Sequence, residues 1–295
     1  MASAVQLFNQ ARHEGWAIGA FNVANLETIQ AICQAAARLE APVLIESSPG
    51  ETEYIGAKAL ADLVSAYRER YGVQVFLNLD HAITEEVITE ALAVGYDLIH
   101  FDGGELEFAE NLKRTQQLVR VVHRHKKLIE GEIDHITGSS TLHKESAKTA
   151  QDSAHFTDPE QAHEFVRVTN IDTLAVSIGN VHGVYATPPR LDLERLAKIH
   201  TQVPCFLSLH GGSGISEADI RAAIKAGITK VNVNSELRIA FLTALQKAVK
   251  APKEMAAYKY LPPVIKAVQA IVEKKITLFG STGKAKRTWI KRIIA

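Results

Sequence analysis

The chain has 295 residues, of which 46% are hydrophobic, so it is long enough and apolar enough to form one (β/α)8 barrel or two smaller domains. Lysine plus arginine and aspartate plus glutamate number 33 each, and the resulting formal charge of zero excludes the basic field that attracts nucleic acid or an anionic membrane. The expected partner is therefore a small molecule.

The cysteines and the first residues of the chain indicate a compartment. Cys33 in a helix pattern and Cys205 at the start of a strand are typical of reduced thiols, and neither has a catalytic pattern around it. Residues 1–6 do not introduce the apolar run of a signal peptide, and no window is apolar over the length that spans a bilayer. We therefore expect a soluble cytoplasmic protein.

Short apolar segments alternate with amphipathic helix patterns along the chain. A helix at residues 3–13 precedes eight predicted strands, nearly all of them followed by a helix, and two further helices are predicted at about 235–249 and 260–275. The strands are predicted at residues 16–23, 42–47, 73–79, 98–101, 127–133, 174–179, 205–210 and 230–234.

This alternation predicts an α/β fold, a (β/α)8 TIM barrel with extra N- and C-terminal helices, in a single domain of residues 1–295. A doubly wound open sheet with an added domain is the alternative. The polar segment 134–156 has no clear periodicity and exceeds the usual length of a connection, so it is predicted to be a loop that covers a site. Acidic residues inside the fifth strand need a separate explanation.

Polar side chains are concentrated at the C-terminal ends of the predicted strands. In a barrel these ends surround one opening, so residues far apart in sequence would form one site. They are Asp80, His81, Asp102, Glu132, His182, His210 and Asn232.

Three of these residues, His81, His182 and His210, match the ligand count of a catalytic zinc site, which keeps a fourth position open. Each histidine taken alone is more typical of a structural residue, and His100 is interpreted as a buried core residue of the fourth strand. Asp80 is a candidate general acid/base, and the alternative is that it orients a ligand histidine.

Other site residues keep two interpretations. Asp102 and Glu132 either form a second cation site or hydrogen-bond the histidines. Residues 211–213 and 232–235 offer backbone and hydroxyl donors at a helix N-terminus, which suits a phosphate, but their serines also have the pattern of a helix start.

Eight motifs follow one another along the chain: Leu79-Asp80-His81, Phe101-Asp102-Gly103, Glu130-Gly131-Glu132, Thr157-Asp158-Pro159, Ile178-Gly179-Asn180-Val181-His182-Gly183, Leu209-His210-Gly211-Gly212-Ser213-Gly214, Lys230-Val231-Asn232-Val233-Asn234-Ser235-Glu236-Leu237-Arg238 and Phe279-Gly280-Ser281-Thr282-Gly283-Lys284. In this order they resemble the motifs of the class II, zinc-dependent ketose-bisphosphate aldolases. The similarity covers nearly the whole chain and is greatest to the tagatose-bisphosphate and shorter fructose-bisphosphate aldolases.

The resemblance implies that His81, His182 and His210 hold zinc, that Asp80 exchanges the proton of the C4 hydroxyl, and that Asp102 and Glu132 line a secondary metal position. It also implies cleavage of the C3–C4 bond of a ketose 1-phosphate, a monovalent cation (Na+ or K+) on backbone carbonyls, and a homodimer or homotetramer. The residues expected at the dihydroxyacetone phosphate end of the substrate are Gly183, Gly211, Ser213, Asn232 and Ser235, and Ser48 is a further candidate substrate ligand.

The sequence departs from the family pattern where the C6 substituent would bind. Tyr258 and Lys275 stand where arginines are common, Ala82 follows the Asp-His pair, and the loop contains consecutive hydroxyl residues. We therefore predict that Ser139, Ser140 and Lys275 contact the C6 group. That group is a phosphate in fructose or tagatose 1,6-bisphosphate, or a sulfonate in 6-deoxy-6-sulfofructose 1-phosphate, whose cleavage would give sulfolactaldehyde.

Two rival functions use the same residues. A metal-dependent hydrolase or isomerase on a barrel would also need zinc, an acid and a phosphate pocket. A non-catalytic aldolase-like subunit that stabilises a partner is the alternative of another class, but the intact set of Asp80 and three histidines argues against it.

Overall fold

The computed structural model describes residues 3–250 and 254–285, and contains ten strands. The strands are β1 (Ile18–Asn22), β2 (Val43–Ser47), β3 (Val75–Ala82), β4 (Leu98–Asp102), β5 (Leu128–Glu132), β6 (Gly138–Leu142), β7 (Thr173–Ala175), β8 (His182–Val184), β9 (Phe206–Leu209) and β10 (Ile228–Val233).

Eight of these strands form a closed parallel barrel in the order β1, β2, β3, β4, β5, β7, β9 and β10, and β10 pairs with β1. Nearly every barrel residue is buried, as expected for parallel strands covered on both faces. The predicted (β/α)8 barrel is thus confirmed. The ends of the predicted domain, residues 1–2 and 286–295, and the segment 251–253 lie outside the described residues.

Twelve helices are described, and most of them surround the barrel. They are α1 (Ala4–Glu14), α2 (Leu26–Leu39), α3 (Pro49–Ile55), α4 (Ala57–Tyr71), α5 (Glu85–Val94), α6 (Phe108–Arg124), α7 (Pro159–Thr169), α8 (Leu193–Gln202), α9 (Glu217–Lys225), α10 (Ser235–Lys250), α11 (Ala257–Tyr260) and α12 (Pro262–Leu278). Within the described ranges, none of them has the length and apolar character of a membrane-spanning segment.

Local sequence determines where several helices begin and end. Ser48 and Glu51 form a reciprocal capping box at the start of α3, with a proline in its first turn. The sequence predicts one helix between the second and third strands, but Gly56, at φ 88°, divides it into α3 and α4. Ser216 accepts the N–H of Asp219 and begins α9 directly after the glycine-rich turn.

The predicted covering loop contains regular structure that the sequence pattern does not reveal. Its segment β6 pairs in parallel with β8 to form a two-stranded sheet. The sixth predicted strand, 174–179, is correspondingly shorter, since β7 ends at Ala175 and His182 lies in the small sheet. Most of β6 is exposed, so it has no buried face and therefore no apolar alternation to detect.

The two ends of the barrel differ in character. At the N-terminal end, Leu7 and Phe8 of α1 pack in an apolar cluster with the inward residues Ile18, Leu44 and Leu98. Further along the strands the interior becomes charged: Lys230 is fully buried, and its Nζ lies 3.0 Å from Glu46 Oε1 and 2.9 Å from Glu130 Oε2. Lys230 thus explains why an acidic residue, Glu130, lies inside β5.

Candidate active site

A cavity of about 350 Å³ opens at the C-terminal ends of the barrel strands. It is lined by most of the residues singled out from the sequence, namely Ser48, Asp80, His81, Asp102, Ser140, His182, Gly183, His210, Gly211, Ser213, Asn232 and Ser235. The barrel therefore brings these distant residues into one site.

Each of the three histidines uses one ring nitrogen to bind a protein acceptor. His81 Nδ1 lies 2.7 Å from Asp102 Oδ2, and His182 Nδ1 lies 3.1 Å from the carbonyl oxygen of Ile136. His210 Nε2 lies 2.6 Å from Glu130 Oε1. Donation to these acceptors fixes the tautomers, so the lone pairs of the neutral rings are on His81 Nε2, His182 Nε2 and His210 Nδ1.

The free nitrogens of His81 and His210 lie close together. His81 Nε2 is 3.0 Å from His210 Nδ1, and the ring centroid of His182 is 5.2 Å from that of His81. Two nitrogens bound tetrahedrally to one zinc at about 2.0–2.1 Å stand roughly 3.3 Å apart, close to the separation seen here. In the structure His81 Nε2 donates a hydrogen bond to the neutral His210 Nδ1, and a zinc ion bound between the two nitrogens would replace that proton.

The surroundings bias the protonation of these rings. Burial lowers the pKa of His182 to about 4 and, despite Glu130, that of His210 to about 3, so both rings are neutral and able to bind a metal. Burial also disfavours the charged form of His81, but Asp80 and the hydrogen bond with Asp102 outweigh it and raise the pKa of His81 to about 9.

A bulge at the end of β3 explains why Asp80 and His81, although adjacent, both face the cavity. The register between β3 and β4 shifts between Leu79 and Ala82, and His81 has a left-handed φ of 51°. In a regular strand the two side chains would point to opposite faces. Bulges of this kind redirect side chains next to active sites.

Asp80 is a buried carboxylate held by two amide groups. Asn22 Nδ2 donates to Oδ2 at 3.0 Å, and Asn232 Nδ2 donates to Oδ1 at 3.2 Å. Burial alone would raise the pKa of Asp80, but the nearby imidazoles and Lys230 hold it well below the usual range. The carboxylate is therefore ionised, and its Oδ1 lies 4.0 Å from His81 Nε2.

Asp102 and Glu132 occupy different positions relative to the cavity. Asp102 lines it and orients His81, as one of the two sequence interpretations expected. Glu132 is fully buried and lies 3.9 Å from His81 Nδ1, and neither of its carboxylate oxygens has a hydrogen-bond partner among the described residues. Ligand atoms of His81, Asp102 and Glu132 lie within 4.8 Å of one another, a donor set able to hold a cation.

The glycine-rich segments place backbone atoms next to the cavity. Gly183 and Gly211 have φ values of 115° and 62°, and a Cβ on Gly211 would clash with the carbonyl oxygen of Val181. Ser235 begins α10, and Ser213 Oγ accepts the N–H of Glu236 at 3.3 Å. Ser213 therefore contacts the first turn of α10 and also lines the cavity, and its binding of a phosphate stays a prediction.

The residues predicted for the C6 group are distributed unevenly. Ser140 lines the cavity, whereas Ser139 and Lys275 do not, among the residues described. Lys275 lies on α12 behind the glycine-rich turn, where its Nζ contacts Glu236 Oε1 at 2.8 Å and the carbonyl oxygen of Gly212 at 3.4 Å. Lys275 thus supports the turn from beneath and is only 4% exposed.

Sequence reasoning missed a cationic residue of the cavity wall, Arg238. It lines the cavity from α10, its side chain is 51% exposed, and its Nη2 lies 2.7 Å from Glu51 Oε1. The sequence did contain a signal for Arg238. Ser235 was predicted at the site and begins a helix, and a residue three positions later lies on the same face of that helix. Asn22, His135 and Ile136 also line the cavity and were not predicted.

Comparison with known proteins agrees with this geometry. The model of the class II fructose-bisphosphate aldolase family matches residues 2–284. The chain belongs to this family. It is 31% identical to the YdjI aldolase from Escherichia coli K12, with a TM-score of 0.83 over 97% of this chain and 100% of that one.

Two further solved structures are similar. A Coccidioides immitis protein assigned as a fructose-1,6-bisphosphate aldolase is 32% identical, with a TM-score of 0.84 over 96% of this chain and 97% of that one. Fructose-bisphosphate aldolase from Campylobacter jejuni, at 22% identity and a TM-score of 0.80 over 95% of this chain and 94% of that one, shares the fold.

Class II aldolases are zinc-dependent, and ligand atoms of Asp80, His81, His100 and His210 lie within 4.8 Å of one another, a donor set able to hold a metal ion. The ring of His182 lies beside this group, with its centroid 5.2 Å from that of His81. Three neutral imidazole nitrogens are the ligands of many catalytic zinc sites, and each ring here has the outer hydrogen-bond partner that such ligands require.

Proposed function

We propose that this aldolase uses zinc bound by His81, His182 and His210 to cleave the C3–C4 bond of a ketose 1-phosphate, giving dihydroxyacetone phosphate and an aldehyde. The observation that carries the proposal is the convergence of three oriented imidazoles beside the ionised Asp80. Zinc, when bound, supplies a Lewis acid for the negative charge that develops on substrate oxygens during cleavage.

Asp80 is the group that moves the proton. Its carboxylate takes the proton of the C4 hydroxyl as the bond breaks, and returns it in the reverse reaction. Asn22 and Asn232 donate to its two oxygens and so fix its orientation. Lys230 does not act as a Schiff-base amine, because its ammonium is paired with two buried carboxylates, which, against the effect of burial, raise its pKa.

The phosphate at C1 is expected at the glycine-rich end of the cavity. Gly183, Gly211, Ser213 and Ser235 offer backbone and hydroxyl donors near the first turn of α10, whose dipole favours an anion. The backbone carbonyls near Gly183 and Gly211 are the proposed ligands of a monovalent cation, Na+ or K+. Asp102 and Glu132 are the proposed secondary metal position.

The group at C6 is expected to meet Arg238, Ser48 and Ser140. Arg238 forms an ion pair with Glu51, and the negative carboxylate partly offsets the positive charge that Arg238 presents to the substrate. A sulfonate carries one negative charge, whereas a phosphate carries nearly two. A partly offset arginine charge matches the single charge of a sulfonate better than the larger charge of a phosphate. This match favours 6-deoxy-6-sulfofructose 1-phosphate as a second candidate substrate, beside fructose and tagatose 1,6-bisphosphates.

The test is a screen of ketose 1-phosphates with zinc-restored protein, in which dihydroxyacetone phosphate is detected by a coupled assay. We expect cleavage of at least one candidate, its loss after chelation, and its recovery when zinc is returned. Cleavage by metal-free protein, confirmed by elemental analysis, would contradict the proposal. The same preparation, analysed by sedimentation, tests the predicted homodimer or homotetramer.

A further inference from the structure

His100 is a fully buried histidine of β4 that does not line the cavity. Its ring centroid lies 4.7 Å from the centroids of both His81 and His210. It lies directly opposite the bulge of β3, because Leu79 pairs with Ile99 and Ala82 pairs with Phe101, so two residues face one. The bulge residues are Asp80 and His81, the proposed base and a proposed metal ligand.

A bulge removes backbone groups from the strand ladder, and a buried N–H needs another acceptor. The N–H of His81 finds this acceptor in a side chain, His100 Nδ1, at 3.0 Å. Asp80 and Glu132, against burial, raise the pKa of His100, but a ring nitrogen that accepts a hydrogen bond carries no proton, so the N–H···Nδ1 contact places the ring proton on Nε2. Nε2 lies 3.2 Å from Glu132 Oε2.

The hydrogen bond acts on a backbone conformation that is otherwise unfavourable. His81 has φ 51°, a left-handed conformation that is unfavourable for a non-glycine residue unless its surroundings hold it there. This conformation turns the imidazole of His81 toward His210 while Asp80 stays in the cavity. A group that stabilises it would therefore raise metal affinity without touching the metal.

We propose that His100 is a positioning residue of the metal site, which holds the main chain of His81 in the left-handed conformation through the N–H···Nδ1 hydrogen bond. The inference rests on the proposed function, since it requires His81 to be a metal ligand. It differs from a packing role because it depends on one ring nitrogen, Nδ1, and on no other property of the side chain.

Two substitutions separate the two nitrogens. In His100→Asn the side-chain oxygen replaces Nδ1 as the acceptor of the His81 N–H, whereas in His100→Gln the polar atoms fall near the position of Nε2. Both variants are polar and smaller than histidine, so each is the control for lost volume in the other. Zinc affinity of the metal-free proteins is measured by competition with a chelating dye, and thermal unfolding of the same samples reports folding.

We expect His100→Asn to bind zinc within about threefold of the wild type, and His100→Gln to bind it 10- to 100-fold more weakly, the usual effect of losing a group that orients a metal ligand. Equal affinities, or equal losses in the two variants, would overturn the inference. A wild-type protein that does not bind zinc would overturn the proposed function and the inference together, whereas a zinc-binding wild type with indistinguishable variants would overturn the inference alone.

A measurement on the unmodified protein remains decisive if either variant fails to fold. Nitrogen NMR of the zinc-loaded enzyme with [15N]histidine assigns the tautomer of each ring. We expect His100 to be protonated at Nε2 and unprotonated at Nδ1. The opposite tautomer, or a ring protonated at both nitrogens, would leave the His81 N–H without its acceptor and overturn the inference.

Discussion

Asp80 combines burial with a permanent charge, and its neighbours explain how both are possible. Two amide donors and the adjacent imidazoles compensate the carboxylate that burial alone would neutralise. The carboxylate is therefore available as a base at neutral pH, at a distance from His81 Nε2 of 4.0 Å. Its environment is typical of a catalytic group and costly for a residue with only a structural role.

Replacement of Asp80 tests this role. We expect Asp80→Ala to retain zinc but to lose roughly 10²- to 10⁴-fold in kcat, the usual contribution of a positioned acid/base. Zinc content by elemental analysis and kcat for the substrate found in the screen are the two measurements. Loss of zinc together with activity would instead assign Asp80 the orienting role that the sequence left open.

Arg238 provides the cation predicted to recognise the C6 substituent. We expect Arg238→Gln to lower kcat/KM about 10- to 100-fold for substrates with a charged C6 group, because a hydrogen bond to a charged group contributes about 1.5–3 kcal/mol. Fructose 1-phosphate has no such charge and is the matched control, for which kcat/KM should be unchanged. An equal loss for both kinds of substrate would place Arg238 in the architecture of the site, through its ion pair with Glu51.

At the scale of elements, the small sheet of β6 and β8 forms one wall of the cavity. Its geometry distinguishes two neighbouring serines, since Ser140 lines the cavity and Ser139 does not. The backbone carbonyl of Ser139 instead lies 3.0 Å from His143 Nε2, a contact that alanine at position 139 would keep. We therefore expect the hydroxyl of Ser140, and not that of Ser139, to contact the C6 group.

The two serines form a matched pair of substitutions. We expect Ser140→Ala to lower kcat/KM about tenfold for the true substrate, and Ser139→Ala to leave it within about twofold. Steady-state kinetics with the two variants side by side is sufficient. Equal effects of the two substitutions would show that the loop does not contact the C6 group through the hydroxyl of Ser140.

The elements of the barrel could be predicted from the sequence because buried parallel strands and amphipathic helices leave strong patterns. β6 could not, because its residues are mostly exposed and its pairing with β8 depends on tertiary structure. The placement of His81, His182 and His210 around one opening followed from topology alone. The bulge that turns His81, the ion pairs of Lys230 and the true position of Lys275 depend on packing between distant segments, which a single sequence does not display.

At the scale of the whole molecule, the two cysteines report on the integrity of the fold. Cys33 and Cys205 are buried, and burial raises the pKa of each thiol to about 12. We expect both to be unreactive toward a thiol reagent at pH 8 in the native protein, and two thiols per chain to react in denaturant. Rapid labelling of the native protein would indicate that the layer of helices around the barrel opens locally.

The charged centre of the barrel links the stability of the whole fold to the site. Lys230 pairs with Glu46 and Glu130, and Glu130 in turn accepts hydrogen bonds from Ser208 Oγ at 2.8 Å and from His210 Nε2 at 2.6 Å. Removal of one member of a buried ion pair leaves an uncompensated charge, which usually costs about 3–5 kcal/mol. Lys230 is thus the common partner of two carboxylates that the fold cannot expose to water.

We expect Lys230→Met to lower the free energy of unfolding by about 3–5 kcal/mol. Burial raises the pKa of Glu46 to about 8, so its carboxyl is already largely uncharged at neutral pH. The double substitution Lys230→Met, Glu46→Gln should therefore recover little of the loss, which comes from the charge of Glu130. Denaturant unfolding followed by circular dichroism measures both changes. If Lys230→Met destabilised the protein by less than about 1 kcal/mol, comparable to a surface ion pair, the buried charges would have to be relaxed by water or protonation rather than held by Lys230.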